Sequence, residues 1–268
     1  MAQSFSFADG KGRVELLDVF GSDVTVVNAA RVSFGKEVTV MEERDKKLLN
    51  YLAKHNHISP FFHPQIRFRL KMPIFVAREW FRHQIGLSRN EVSRRYVDTD
   101  VECWVPSLDD LRERDPKAKQ GSKATPIAEA ETIHEVLKAA TEASMATYNR
   151  LLQANVAPEV ARCILPQSMY TEFIETGSLY AYARICALRL DPTAQKETRA
   201  YAAAIDAMLI QAFPNAWNAL RQPWIENVPA SASASTSVQE SKETKDILVT
   251  EGATEAYIPH ESPINYIV

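Results

Sequence analysis

The chain has 268 residues, 46% of them hydrophobic and 24% charged, and a formal net charge of −3 at pH 7. These values are ordinary for a globular protein with a sizeable core, and the mild negative charge argues against general affinity for nucleic acid. No apolar run approaches a membrane span, and the N-terminal MAQSFSFADGKG lacks a signal-peptide core. Three cysteines without metal-type spacing favour buried thiols. We therefore expect a cytoplasmic protein without a membrane segment.

The first third of the chain predicts two strands and two helices. The strands are expected at 14–20 and 65–72, the helices at 42–55 and 73–84, and the segment 24–32 stays open between strand and helix. QIRFRLKM, at 65–72, alternates apolar and polar residues as a half-buried strand does. Pro73 suits the first turn of the helix that follows, because its φ is fixed and it has no NH.

The rest of the chain is predicted to be mostly helical. We expect a loop at 85–92, strands at SRRYV and ECWVP, a polar excursion at 108–126, and a long helix at 127–154. A short helix PEVARCIL, a strand MYTEFIET, a helix LYAYARICALRL and a helix from Asp191-Pro192 to about Phe213 follow. Composition then changes to low-complexity PASASAST, which places a boundary near Val228 between a domain at 1–228 and a linker and tail at 229–268. Apolar residues return at the end of the tail, which is expected to dock on the body or on a neighbouring subunit.

The segment RHQIGLSRNEVSRRY, Arg82 to Tyr96, carries the most chemistry. It concentrates arginines, a histidine, an asparagine, a glutamate and two serines directly after the apolar run IFVAREWF. Guanidinium groups held by a buried scaffold match the geometry of phosphate or carboxylate. A carboxylate among them, Glu91, indicates a ligand that also has hydroxyl or ring NH groups. The segment therefore predicts a nucleotide site.

Other kinds of site are less well supported. There is no GxGxxG motif and no Walker loop. His55, His57 and His63 lack the spacing of a zinc site, and we favour His57 as a histidine lining a ligand pocket. Neither Ser88 nor Ser93 has the context of a catalytic nucleophile.

Two arginines interrupt helices that otherwise look buried. They are Arg162 and Arg189, and a lone helical arginine usually lies on a solvated face or in an ion pair. Beside an arginine-rich motif, two of them favour a shared anionic site. For Arg89 and Arg94, surface charge and ligand binding remain equally open.

The run Arg82-His83, followed by Ser93 and Arg95-Tyr96, resembles the signature of the flavin-dependent thymidylate synthases. Further segments that resemble the family follow in the same order: AARVSF (29–34), ERDKKLLNYLAKHNHISPF (43–61), PIFVAREWFRH (73–83), EVARCILP (159–166) and LRLDPTAQKE (188–197). The resemblance spans roughly 14–224. It implies an α+β fold with a small antiparallel sheet flanked by long helices, and a homotetramer whose active sites are shared between subunits.

The resemblance also implies the chemistry. FAD reduced by NADPH would supply hydride, methylene-tetrahydrofolate would supply carbon, and C5 of dUMP would be methylated to give dTMP. No enzyme nucleophile is needed. The same chemistry on UMP or dCMP stays as an alternative, motivated by Glu79. A nucleic-acid-binding module is disfavoured by the acidic net charge.

Residue roles follow from the resemblance. Arg189 would be catalytic, contacting the uracil and stabilising charge as N3 ionises. The residues expected at dUMP are Glu79, Arg82, Glu91, Ser93, Arg94, Arg95 and Arg189, with Arg162 completing the phosphate clamp from another subunit. Those expected at FAD are His57, Ser59, Arg82, His83, Gln84, Asn90, Glu91, Ser178, Tyr180 and Arg184. No metal is expected.

The sequence departs from the family pattern near these ligands. Gln84 replaces the third residue of the family's Arg-His-Arg triplet, and the loop from Gln84 to Ser93 is one residue longer than usual. Glu79 stands where a glutamine is often found, and its charge would repel a phosphate unless Arg78, Arg82 or Arg94 pairs with it. Ser178 and Tyr180 stand where some members carry Asn and Arg.

Overall fold

The computed structural model describes residues 3–98, 100–116 and 121–226. The strands are β1 (Gln3–Ser6), β2 (Arg13–Phe20), β3 (Gln65–Pro73), β4 (Leu87–Glu91), β5 (Arg112–Arg114), β6 (Ser122–Pro126) and β7 (Tyr170–Ser178). The helices are α1 (Asp23–Arg31), α2 (Glu43–Lys54), α3 (Ile74–Trp80), α4 (Ala130–Gln153), α5 (Pro158–Ala161), α6 (Leu179–Arg189), α7 (Lys196–Ala212) and α8 (Ala216–Glu226).

An antiparallel sheet forms the centre of the described residues, with strand order β1-β2-β3-β7-β4. The predicted alternation of β3 is confirmed, because Ile66, Phe68 and Leu70 are fully buried while Arg67 and Arg69 lie on the other face. Period-two alternation of this kind lets one face of a sheet carry the core. The predicted α+β fold with a small antiparallel sheet is confirmed.

Helices α2, α6, α7 and α8 form the helical layer of the core. Trp217 on α8 is fully buried, and its indole NH donates to Asp206 on α7 at 2.8 Å. The start of α8 is fixed by Asp23 on α1, whose carboxylate accepts hydrogen bonds from the backbone NH of Asn215 and of Ala216, both at 2.9 Å. A carboxylate that satisfies free NH groups at a helix start stabilises the helix. The helical layer is therefore tied together by buried polar contacts as well as by apolar packing.

Most predicted elements are confirmed, and the exceptions have local causes. The segment 24–32 lies mainly in α1, and 85–92, predicted as a loop, contains β4, which pairs with β7. The helix predicted at 73–84 ends at Trp80. The polar excursion at 108–126 contains the β5–β6 pair.

Three further predictions fail or cannot be compared. SRRYV and ECWVP do not form regular strands, and only an isolated bridge from Cys103 to Met169 is present there. Helix α7 begins at Lys196, later than predicted, because the Asp191 carboxylate accepts from the backbone NH of Thr193 at 2.8 Å and holds a turn. The predicted boundary at Val228 and the tail 229–268 lie outside the described residues. Within the described residues no helix is long and apolar enough to cross a bilayer.

The core contains one ion pair that joins β4 to β7. Glu175 is fully buried and pairs with Arg89, directly opposite it in the strand register. The Trp80 indole NH also donates to Glu175, at 3.2 Å. Burial raises the pKa of Glu175, and the Arg89 charge opposes this rise. Arg89 is therefore not a solvated surface charge, because its guanidinium pairs with a buried carboxylate.

We expect Arg89→Ala to destabilise the protein by about 3–5 kcal/mol, because it leaves the Glu175 carboxylate buried and unpaired. Arg67→Ala is the matched control, since Arg67 pairs with Asp18 on the same sheet but both side chains are more than half exposed. The control should cost about 1 kcal/mol or less. Urea denaturation measures both values. Equal losses in the two variants would show that the Arg89 pair contributes no more than an exposed one.

Candidate active site

Arg189, the last residue of α6, lies in a network of polar contacts. Its Nε donates to His83 Nε2 at 2.9 Å, one Nη pairs with the Glu79 carboxylate, and the other donates to the Glu79 backbone carbonyl at 3.3 Å. The second oxygen of the Glu79 carboxylate accepts from the Thr198 hydroxyl at 2.7 Å. The partner that offsets the Glu79 charge is thus Arg189, not one of the three arginines expected from the sequence.

His83 is held neutral in this network. Burial, followed by the charges of Arg189, Arg89 and Arg184, lowers the pKa of His83 from 6.5 to about 4. Because Arg189 Nε is a donor, His83 Nε2 accepts and the ring proton lies on Nδ1. A neutral acceptor at this position orients the guanidinium without competing with its charge.

This pKa predicts how stability varies with pH. The unfolded imidazole binds a proton as pH falls through 6.5, whereas the folded one stays neutral to about 4, so stability falls as pH drops through this window. Between about pH 7.5 and pH 5 the loss from His83 should be roughly 1 kcal/mol, after discounting for the exposed part of the ring.

The variant His83→Gln, which keeps an acceptor but does not titrate, should lose less stability over the same interval. Urea midpoints of both proteins at the two pH values measure the difference. Identical pH dependence of the two midpoints would mean that the folded-state pKa of His83 is not depressed.

Arg189 and Glu79 line a cavity of about 1080 Å³, which we call the Arg189 cavity. Its walls are the β5–β6 pair, the end of α6, the α6–α7 connection and the first turn of α7, and they include Arg112, Lys123 and Arg199. Arg112 and residues 121–124, which belong to the segment predicted to be a polar excursion, form one wall of this cavity, which also contains the predicted catalytic arginine.

A second cavity, of about 510 Å³, collects the residues predicted to bind phosphate, and we call it the Ser93 cavity. Its lining includes Glu91, Ser93, Arg94 and Arg162. Arg162 was expected from another subunit, but here the same chain places it beside Ser93 and Arg94. Glu91 is fixed by the Thr171 hydroxyl, which donates to its carboxylate at 2.6 Å.

Arg95 lies at the edge of the Ser93 cavity. It pairs with Glu159, a lining residue, at 3.3 Å, and its side chain is half exposed. Its guanidinium carbon also lies 5.6 Å from the centre of the Tyr96 ring. Such an exposed pair is weak, so Arg95 can exchange Glu159 for a bound anion at little cost.

The Arg189 cavity and the Ser93 cavity have no lining residue in common. Asn90 and Arg94 line a third, shallower cavity of about 410 Å³ on the sheet. Within one chain, the predicted phosphate residues therefore line one cavity, and the predicted uracil residue lines another.

Several residues predicted to bind FAD lie on elements that meet around Gly86. Ser59 is on a 3-10 helix (Ser59–Phe62), and the Phe62 ring packs 5.3 Å from the Tyr180 ring on α6. Gly86 has φ of +78°, and a Cβ there would lie 3.3 Å from the Cβ of Ala181. Ser178 caps α6, its hydroxyl accepting from the Ala181 NH at 3.2 Å. Close backbone approach thus joins 59–62, 83–87 and 178–184.

The charge and exposure of this region suit an anionic cofactor. Arg82, Gln84 and Arg184 are exposed, and His83 between them is neutral. The His57 ring lies earlier in the chain, 6.0 Å from the Tyr51 ring, and both side chains are exposed. Exposed guanidinium groups can pair with a pyrophosphate, and exposed rings can stack on a flavin. Ser178 is the least suited, because it is buried and its hydroxyl already caps α6.

Sequence reasoning missed Thr198 and Thr171. Each donates a hydroxyl to a glutamate that the sequence had placed at the nucleotide, Thr198 to Glu79 and Thr171 to Glu91. The partners are 119 and 80 residues apart along the chain, so no local pattern could have linked them. Among the described residues no cluster of His, Cys, Asp or Glu could hold a metal ion.

Comparison with known proteins gives consistent matches. Residues 15–215 match the Thy1 family, described as thymidylate synthase complementing protein. The chain is 43% identical over 195 residues to the flavin-dependent thymidylate synthase of Thermotoga neapolitana, covering 73% of this chain and 84% of that protein. It is 38% identical over 216 residues to the enzyme of the same description from Thermus thermophilus, covering 81% and 78%.

A solved structure is similar as well. The UMP/dUMP methylase PolB from Streptomyces cacaoi, bound with 5-bromo-dUMP, matches with a TM-score of 0.71 and 29% sequence identity. The match covers 78% of this chain and 94% of that one.

Proposed function

Because this chain belongs to the Thy1 family, that of the flavin-dependent thymidylate synthases, we propose that it methylates dUMP at C5 to give dTMP. FAD is the proposed flavin, NADPH its reductant and methylene-tetrahydrofolate the carbon donor. PolB, the structural relative described above, acts on UMP and dUMP and binds 5-bromo-dUMP, which supports a uracil nucleotide as substrate.

The observation that carries the proposal is the geometry of Arg189. Its guanidinium is half-buried, oriented by His83 and Glu79, and faces the Arg189 cavity. A fixed cation in a partly buried site stabilises negative charge that develops on a bound ring far better than a mobile one in water. Arg189 would accordingly contact the uracil and favour ionisation at N3.

The proposed roles of the remaining residues follow from charge. Ser93, Arg94 and Arg162 would bind the dUMP phosphate, with Arg95 leaving Glu159 to join them. Arg82, Gln84 and Arg184 would hold FAD, with Ser59 and Tyr180 at its edges. The bound flavin supplies the hydride that completes the methyl group. No side chain of the protein needs to form a covalent bond to the pyrimidine.

We further propose a homotetramer in which a second subunit completes each active site. The separation of the Arg189 cavity from the Ser93 cavity within one chain supports this. Juxtaposing the Arg189 cavity of one subunit with the Ser93 cavity of its neighbour would place a uracil cation and a phosphate clamp on one nucleotide. Reciprocal contributions of this kind are typical of symmetric oligomers.

Anaerobic turnover with competing nucleotides tests the proposed activity. The protein is supplied with FAD, NADPH and methylene-tetrahydrofolate, and dUMP, UMP and dCMP are offered at equal concentration, with products resolved by mass. We expect dUMP to gain one methyl group. Methylation of UMP or dCMP in preference would establish the alternative substrate, and omission of FAD or NADPH should each abolish the product.

A further inference from the structure

We propose that Glu79 and Thr198 are positioning residues, which fix the Arg189 guanidinium through a chain of hydroxyl, carboxylate and guanidinium contacts. The inference rests on the proposed function in one respect, because the kcat that tests it is that of dUMP methylation. Arg189 itself would touch the substrate, whereas Glu79 and Thr198 would act through Arg189.

Both carboxylate oxygens of Glu79 already have donors. One pairs with the Arg189 guanidinium and the other accepts from the Thr198 hydroxyl at 2.7 Å. The Glu79 backbone carbonyl accepts a further NH from Arg189, at 3.3 Å. Glu79 thus holds Arg189 at two points, through its side-chain carboxylate and through its backbone carbonyl.

Thr198 links the Glu79 carboxylate to helix α7. Its side chain is fully buried in the first turn of α7, where the next residue, Arg199, donates its backbone NH to Gln195 at 2.9 Å. A β-branched side chain in a helix has few χ1 rotamers, and the hydrogen bond from the Thr198 hydroxyl to Glu79 selects one of them. The Glu79 carboxylate is therefore fixed by the position of α7 itself.

The contacts leave Arg189 able to act. A guanidinium has five N–H groups, and those to His83 and to the two Glu79 acceptors account for three. The remaining N–H groups are on the two Nη atoms, and Arg189 lines the Arg189 cavity. An unrestrained arginine would lose up to about 2 kcal/mol of rotamer entropy on binding a ligand, and a pre-oriented one loses less. The network thus presents donors without requiring Arg189 to be ordered during turnover.

The charge balance supports the same role. Glu79 carries a negative charge that would disfavour a nucleotide phosphate if it faced the ligand. In the structure Glu79 pairs with Arg189 and both residues line the Arg189 cavity, so the carboxylate charge is offset by the guanidinium beside it. This accounts for a carboxylate at a position where the family often has glutamine.

The experiment compares Thr198→Val, which keeps the shape but removes the hydroxyl, with Thr198→Ser, which keeps the hydroxyl. We expect Thr198→Val to lower kcat about 10-fold or more, as loss of a hydrogen bond to a charged group implies. KM for dUMP should change much less, and Thr198→Ser should recover most of the lost kcat. FAD absorbance checks that the cofactor site is intact.

Two further variants make the comparison specific. In an Arg189→Ala background, Thr198→Val should add no further loss, because the residue it orients is gone. Thr147→Val is the matched control, since the Thr147 hydroxyl donates to the Ala143 carbonyl at 2.8 Å on the exposed helix α4. That control should leave kcat unchanged. An equal effect of Thr198→Val with and without Arg189, or an unchanged kcat in Thr198→Val, would overturn the inference.

Crystal structures separate this inference from the proposed function. Absence of dTMP formation by the wild-type protein would contradict the proposed function but would leave the positioning of Arg189 open to test. The structures of Thr198→Val and Thr198→Ser would still show whether the Arg189 guanidinium leaves His83 Nε2 in the first and stays in the second, as we expect. A guanidinium that stays in place in Thr198→Val would refute positioning. Should Thr198→Val not fold, Glu79→Ala replaces it in both measurements, with a loss of kcat and a displaced Arg189 expected, because both side-chain contacts of Glu79 are then lost.

Discussion

Arg189→Ala is expected to reduce dTMP formation by about 10²–10³-fold or more while FAD remains bound. Loss of one fixed donor at a developing anion typically costs this much. Among the described residues Arg189 alone donates to both His83 and the Glu79 carboxylate, so its guanidinium is the one that this network orients. Single-turnover rates with reduced enzyme would separate loss of chemistry from loss of flavin reduction.

The control for this variant is Arg44→Ala. Arg44 is exposed, and it pairs with the exposed Glu42 at the start of the same helix, at 2.8 Å. Its removal should leave both rate and flavin content unchanged. If Arg189→Ala kept a near-normal rate with flavin bound, Arg189 would not be the residue that stabilises charge on the uracil.

The sequence predicted the central sheet and most helices because their signals are local. QIRFRLKM at 65–72 alternates strictly, and the structure extends it by a single residue. The strand β4 was missed because LSRNE at 87–91 has no apolar alternation, and pairing with β7 and the buried ion pair from Arg89 to Glu175 impose its conformation instead. Tertiary context overrides local propensity at such edges.

In the candidate site, too, features with a local sequence signal could be predicted, and features that depend on tertiary contacts could not. Arg189 could be singled out from the sequence, since a cation in an otherwise apolar helix needs an explanation, and the same chain carries an arginine-rich motif at 82–96. The contacts that hold Arg189 could not be predicted from the sequence. Glu79 and Thr198 are far apart along the chain, and a Glu–Thr pair leaves no periodic signal. Nor could the sequence reveal that the Arg189 cavity and the Ser93 cavity are separate within one chain.

That separation leads to the second large effect we expect, restoration of activity by mixing two inactive variants. Arg189→Ala removes the uracil cation but keeps the Ser93 cavity intact. The double variant Arg95→Ala/Arg162→Ala, which we call the phosphate variant, weakens the phosphate clamp but keeps Arg189. Each lost hydrogen bond from a guanidinium to the phosphate should weaken dUMP binding by about 1.5–3 kcal/mol, so the phosphate variant should be nearly inactive at limiting dUMP.

Co-expressed in equal amounts, the two variants should assemble mixed oligomers. If one subunit supplies Arg189 and another supplies the phosphate clamp, about a quarter of the sites in random oligomers would combine two intact halves. Those sites would have wild-type composition and wild-type affinity for dUMP. The remaining sites would carry one or both defects.

The measurement is dTMP formation by the co-purified variants, with dUMP at the wild-type KM and each variant assayed alone. The shared-site proposal predicts that activity rises from near zero to about a quarter of the wild-type rate. Activity no greater than the sum of the two separate variants, in oligomers shown by mass to contain both chains, would place Arg189 and the phosphate clamp in one subunit and contradict the proposal.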